Sequence, residues 1–203
     1  MREEKKLDKI TAIYHAIEEL VAEGADLASM RVSDIAARAG IGKGTTYEYF
    51  SSKEEMIVKA MVFLMGSMVK RITGQMERTG AFKDAFIMLL DEMEEKAKQR
   101  ACIMKYLSML SDMNLCQQMH DILLEDRDAK ESNPIKIIRY LIERGKKEGI
   151  LSEKYPMAYM ETSIFSKVLS FVMYLNGDLS GWDYNSDEMK EQLYFGICRE
   201  FGV

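Results

Sequence analysis

The chain has 203 residues, with 28 Lys/Arg against 33 Asp/Glu, a formal net charge of −5, and 47% hydrophobic side chains. That is enough apolar material to bury a core in one large or two small domains without disulfides, and the three cysteines, Cys102, Cys116 and Cys198, lie too far apart for a disulfide framework or a metal-ligand pair. No stretch reaches the roughly 18 uninterrupted apolar residues of a membrane span, and the charged residues 1–9 lead into no secretory apolar run, so the expectation is a cytoplasmic chain whose cysteines are buried small hydrophobes.

The elements follow in chain order. Leu7, Ile10, Ile13, Tyr14, Ile17, Leu20 and Val21 recur at helical spacing and predict an amphipathic first helix that closes at Gly24. Arg2, Lys5, Lys6 and Lys9 alternate with Glu3, Glu4 and Asp8 at its start, which reads as a solvated helix end in preference to a basic arm. His15 and His120 have no partner at ligand spacing and read as ordinary structural or surface residues.

Val32, Ile35, Ala36 and Ala39 mark one face of a short second helix. Gly40 stands where a helix ends most easily in a left-handed conformation. Ile41 fills the turn, and Gly42 occupies the N-cap of the next helix, predicted over 43–50. A turn this short between two helices is a helix-turn-helix signature.

The helix at 43–50 is too polar and too short to exist for its own packing. Phe50 and Thr46 turn inward, leaving Lys43, Thr45, Tyr47 and Tyr49 outside, where they suit a nucleic acid. Lysine reaches a guanine edge or a phosphate, threonine offers a methyl and a hydroxyl, and tyrosine hydroxyls bond phosphate oxygens. Gly44 has no side chain to hold the helix away from the phosphates. Glu48 either accepts from a cytosine amino group or, as the preferred reading, points to solvent. Ser52-Lys53-Glu54-Glu55 is a capping box that opens another helix with Lys53 in its first turn.

The string AGIGKGTTYEYFSSKEEM resembles the DNA-binding segment of the TetR family of bacterial transcriptional regulators, whose pattern is close to IAxxAGVSKGTLYxYFxSKEEL. The likeness runs without gaps over about twenty-five residues. It implies base or phosphate contacts from Lys43, Gly44, Thr45, Tyr47 and Tyr49, a phosphate clamp at Lys53, and a further contact from Ser33 with Arg31 beside it. Three positions depart from the pattern: Gly42 replaces a serine, Thr46 a leucine, and Met30-Arg31 a pair of threonines. Thr46 therefore brings a hydroxyl that needs a partner in a small core.

Charge supports a specific reader over a general DNA binder. Residues 1–60 carry a net charge of −2, yet residues 31–53 carry +2 from Arg31, Arg38, Lys43 and Lys53 against Asp34 and Glu48. Positive charge is concentrated where phosphates would lie, while the acidic remainder disfavours binding off target.

Residues 53–76 read as one long helix that begins in the DNA-binding segment and continues beyond it. Further helices are predicted over 82–100, 102–113, 115–130, 135–147 (after the break at Ser132-Asn133-Pro134, and closed by Gly149), 156–175 and 186–201. With two prolines and no alternating strand pattern the fold class is all-α. The division expected is a helix-turn-helix domain at 1–52 and a helical effector-binding and dimerisation domain at 53–203.

That second part holds most of the 17 methionines. Individually they read as core; together, as flexible thioethers able to line an adaptable apolar cavity. Met61, Met65, Phe86, Met93, Met104, Tyr106, Phe165 and Met173 are the candidate lining for a small, largely apolar effector, a ligand type the TetR resemblance also implies. Tyr159, Ser163, Ser166, Ser170 and Gly177 form a face of mostly small residues on the penultimate helix, and Met189, Leu193, Phe195 or Ile197, and Phe201 lie on the last. From these the resemblance implies a homodimer through a four-helix bundle, and reading a palindromic operator requires two copies. Trp182 is either a loop anchor or an interface residue.

The reading is a dimeric, ligand-responsive repressor that needs no cofactor. An activator or a regulator without effector is the alternative. A helical enzyme or small-molecule carrier is remote, because the sequence shows no nucleophile elbow, phosphate loop or metal-spaced cluster.

Overall fold

The computed structural model describes residues 2–27, 29–98, 117–118, 121–122, 132–175 and 185–203. Among them are eight helices, α1 (Arg2–Ala22), α2 (Val32–Arg38), α3 (Lys43–Thr46), α4 (Lys53–Met76), α5 (Phe82–Lys98), α6 (Ile135–Lys147), α7 (Met157–Leu175) and α8 (Ser186–Phe201), and one isolated antiparallel bridge between Leu151 and Gly202. The all-α expectation holds, and α4 has the bounds its apolar pattern predicts. The helices predicted over 102–113 and 115–130 fall almost entirely outside the described residues, as do Gly177 and Trp182. The described residues form two compact units, one drawn from 1–68 and 105–133, the other from 69–104 and 134–203, and α4 contributes to both.

In the first unit α1 buries Ile13, Ala16, Ile17 and Val21, and α2, packed against it, buries Val32, Ile35 and Ala36. Each fully buried Ile or Val side chain is worth about 1.5–3 kcal/mol relative to exposure. Gly40 ends α2 with φ +68°, so that its own N–H reaches the Ala37 carbonyl at 3.2 Å and the Ile41 N–H reaches the Ala36 carbonyl at 3.0 Å. Both bonds satisfy carbonyls that the helix end would otherwise leave unpaired.

α3 is shorter than the expected 43–50. After Thr46 the N–H groups of Tyr47, Glu48 and Tyr49 bond to carbonyls three residues back, at 3.1–3.2 Å, and Phe50 alone returns to the four-residue step. The last turn is therefore wound more tightly than an α-helix, which brings Phe50 round into the core. Thr46 is fully buried, and its hydroxyl finds the partner it needs in the Lys43 carbonyl at 2.6 Å.

The second unit is built on α5, α6, α7 and α8, with Phe82, Phe86, Leu90, Leu141, Ile164, Phe171, Ile197 and Phe201 buried. α6 comes close to its neighbours at Gly145, where a β-carbon would lie 2.7 Å from Leu151 side-chain atoms and 3.2 Å from the Phe82 ring. Arg144, one residue earlier, donates to the carbonyls of Met76 and Thr79 and to the Thr79 hydroxyl, capping the C-terminal end of α4. Glu148 accepts the Phe82 N–H at the start of α5, 2.8 Å away. Between α5 and α8 the buried Lys190 lies 2.6 Å from both Asp91 and Glu94 and 3.2 Å from Asp187. Burial works against its charge, but the three carboxylates more than offset that and hold the ammonium above its ordinary range.

Candidate nucleic-acid interface

The proposed reading residues are offered to solvent by short elements packed from behind. Arg31 is exposed at the N-cap of α2, with its carbonyl accepting the N–H groups of Asp34 and Ile35. Ser33 is exposed on the first turn of α2, its hydroxyl 3.4 Å from Asp34 Oδ1. Lys43 and Gly44 open α3, both exposed; Thr45 is half-buried. Tyr47, at the C-cap, is 50% exposed, and Tyr49 is half-buried. Lys53, half-buried, is the first residue of α4.

What holds this surface is the entry into α4. Ser52 Oγ accepts the Glu55 N–H at 3.0 Å, the first half of a capping box. The return bond is displaced by one residue, since Glu55 accepts the N–H of Ser51, at 2.6 Å, and not that of Ser52. Lys59 closes the other side of the Glu55 carboxylate at 2.6 Å. The Lys59 and Ser51 hydrogen bonds hold the Glu55 carboxyl down at about 2. Behind them Tyr14 of α1 packs its ring 6.0 Å from Phe50 and 5.0 Å from Phe63. Burial first, and then the neighbouring Glu55 charge, push its phenol up to about 12. His15 is an exposed residue that hydrogen-bonds Glu18 at 3.3 Å.

Arg38 corrects the charge reading. It is not directed to a phosphate site but bonds Glu23 through both terminal nitrogens and Glu19 through one, raising the guanidinium pKa and lowering that of Glu23. Glu19 and Glu23 are four apart and so share one side at the end of α1.

The described candidate effector residues are drawn from both units. Met61 is buried and Met65 half-buried in the first unit; Phe86 and Met93 are buried in the second. Met104 and Tyr106 lie outside the described residues. Phe165 and Met173 are 39% and 37% exposed, a correction to their reading as enclosed pocket lining: Met173 is turned well away from the stripe on which α7 buries Met160, Glu161, Ile164, Val168, Phe171 and Val172, and Phe165 stands at the edge of that stripe.

A shallow groove of about 460 Å³ runs between α7 and α8, and none of the six described candidates lines it. Its wall is the small-residue face of α7, Tyr159, Ser163, Ser166 and Ser170, with Leu193 opposite and a polar cluster inside. Glu200 accepts from Lys167 at 2.6 Å, Tyr159 at 3.0 Å and the Ser163 hydroxyl at 2.9 Å. Burial opposes the charge on Glu200, yet these donors hold its pKa below the ordinary value. On α8, Ile197 and Phe201 are buried in their own unit and so leave the expected dimer face; Phe201 sits edge-on to Tyr155 and Tyr159, at 5.2 and 5.5 Å. Leu193, half-buried, and Phe195, exposed, remain outward.

Among the described residues no group of three or more His, Cys, Asp or Glu could hold a metal ion, and no helix is long and apolar enough to cross a membrane.

Residues 13–60 match the family model of the bacterial regulatory proteins, tetR family. The chain is 28% identical over 88 residues to the fatty acid metabolism regulator protein of Bacillus subtilis (strain 168), a match covering 43% of this chain and 45% of that protein. It therefore spans less than half the length of that curated relative. Two solved structures share its fold almost end to end. The transcriptional regulator FadR from Bacillus subtilis, solved in complex with stearoyl-CoA, superposes with a TM-score of 0.63 at 19% identity, covering 93% of this chain and 97% of that one. The fatty acid degradation regulator FadR from Bacillus halodurans does so with a TM-score of 0.62 at 21% identity, covering 94% of each. The stretch that matches the tetR family model, residues 13–60, is the helix-turn-helix segment, and the likeness to the two FadR structures extends the shared fold over nearly the whole chain.

Proposed function

We propose that the protein is a dimeric transcriptional repressor that binds a palindromic operator and is released from it by a long-chain acyl-CoA. The observation that carries the DNA reading is the α2–α3 corner: a left-handed Gly40, a buried Thr46 and Phe50, and an outward row of polar residues. Residues 1–52 act as the reading segment. Lys43, Gly44, Thr45 and Tyr47 face the groove, and Arg31, Ser33, Tyr49 and Lys53 bond the flanking phosphates.

Residues 53–203 carry effector binding and dimerisation. The likeness to a FadR solved with stearoyl-CoA supports an effector with a long apolar tail, which agrees with a methionine-rich helical domain. The small-residue face of α7, with Leu193 and Phe195 of α8, is the surface offered to a second copy. α4 begins at the DNA-facing segment and ends under the Arg144 cap, so a ligand that favours one setting of its far end shifts the population able to match successive major grooves.

The test is selection of duplexes from a random library by the purified protein, followed by titration of the enriched duplex with stearoyl-CoA, coenzyme A and stearate. A palindromic winner released by stearoyl-CoA alone is the expected result. No enrichment at any salt concentration would overturn the DNA reading; enrichment without release would overturn the acyl-CoA assignment and leave a regulator of another kind.

A further inference from the structure

We infer that Lys6 of α1 is an additional DNA contact, gripping the same stretch of phosphate backbone as Tyr49. The inference rests on the reading of α2–α3 as the DNA-facing motif.

In the sequence the basic residues at the start of α1 alternate with acidic ones, which argues for a merely solvated helix end. At about 100° per residue, Lys6 and Lys9, three positions apart, share a face, whereas Asp8 is turned to nearly the opposite side from Lys6. Lys6 and Lys9 are both exposed.

The structure then brings this basic face to the motif. Lys6 Nζ stands 6.0 Å from the centroid of the Tyr49 ring, at the outer limit of a cation–π contact. An ammonium has three N–H donors in a tetrahedral fan, so one side turned to a ring leaves donors for a phosphate oxygen beside the tyrosine hydroxyl. The aromatic neighbour also limits the freedom of the lysine chain before DNA arrives, which lowers the ordering cost of the contact.

With Arg38 bonded to Glu19 and Glu23, part of the positive charge of residues 31–53 is already matched by carboxylates. Lys6 supplies positive charge at the edge of the motif from a distant part of the sequence.

A backbone contact changes affinity evenly across sequences and steepens its salt dependence, without changing base preference. The experiment uses the full-length protein and the duplex enriched by the wild type, with affinity measured over a series of salt concentrations. Lys6→Gln is expected to weaken binding and make the slope of log affinity against log salt shallower by about 0.9 for each protomer bound. Lys6→Arg keeps the wild-type slope, and so does Lys70→Gln, a control at an exposed lysine on α4. A wild-type slope in Lys6→Gln, on a duplex the wild type does bind, overturns the Lys6 contact alone. If the wild type enriches no duplex, the motif reading fails and the Lys6 contact with it.

Discussion

Arg38 at the end of α2 and Glu23 just past the end of α1 meet through two parallel hydrogen bonds, Nη1 to Oε1 at 2.8 Å and Nη2 to Oε2 at 2.7 Å. The planar fork of a guanidinium matches a carboxylate in this way and an ammonium cannot. Arg38→Lys should therefore lower the thermal midpoint and Arg38→Ala lower it further, with both losses shrinking at high ionic strength because the pair faces solvent. Neither variant should change the salt slope of DNA binding, since this cation is already occupied. Thermal melting at low and high salt, beside the DNA titration, checks both statements.

Glu55 should make the start of α4 sensitive to acid. Its carboxyl is lowered in the folded protein from an ordinary value of 4.5 to about 2. A group depressed on folding adds stability that is fully present above its unfolded value and is lost as the pH falls toward the folded one. Between pH 4.5 and about 2, the denaturation midpoint of the wild type should fall faster than that of Glu55→Gln, which begins lower at neutral pH. Curves that stay parallel through this range would show that Glu55 adds nothing.

The turn between α2 and α3 can be strengthened at one glycine and broken at the other. Gly42 has an extended backbone, φ −71° and ψ 141°, and a β-carbon there meets only Thr45 Oγ1 at 3.8 Å. Gly42→Ser should add roughly 0.5–1 kcal/mol through a side-chain cap and a less flexible unfolded chain. Gly40→Ala should cost about 1–2 kcal/mol, because φ +68° is strained for any residue with a β-carbon. Chemical denaturation distinguishes the two by sign.

Within the reading surface, base choice and backbone grip should separate. Lys43→Ala is expected to change the sequence preference of the selected duplexes, whereas Lys53→Ala weakens binding evenly across sequences; Tyr47→Ala, in the groove, also weakens binding, and none of the three should unfold the protein. Equal loss on every sequence for Lys43→Ala would remove it from base reading and make it a phosphate contact.

The features legible in the sequence were those set by local rules. Gly24, Gly40 and Gly149 mark helix ends and all three have positive φ; α4 could be bounded because a cap and an apolar period define it. Features that depend on partners distant in the chain were not legible. Arg38 enters the local charge count as if unpaired because its carboxylates are 15 and 19 residues away. The sequence pattern over 43–50 overstates α3 because composition does not distinguish an α-turn from a tighter one. Residue type marks Phe165 and Met173 as apolar, but only helical angle and packing show that Met173 turns away from the buried stripe of α7 and that Phe165 sits at its edge. Lys190 and Glu200, both central to polar clusters, carry no motif at all.

The Arg144 cap bears on where this chain can be lengthened. Its acceptors lie at residues 76 and 79, and the donor to Glu148 is the N–H of residue 82. Three attachment points within seven residues leave the α4–α5 corner no slack, so one added residue would pull a carbonyl or an N–H off its partner. A reporter tag or a new pair of chain ends belongs elsewhere, and natural relatives that keep both the arginine and the glutamate should show no insertions at this corner.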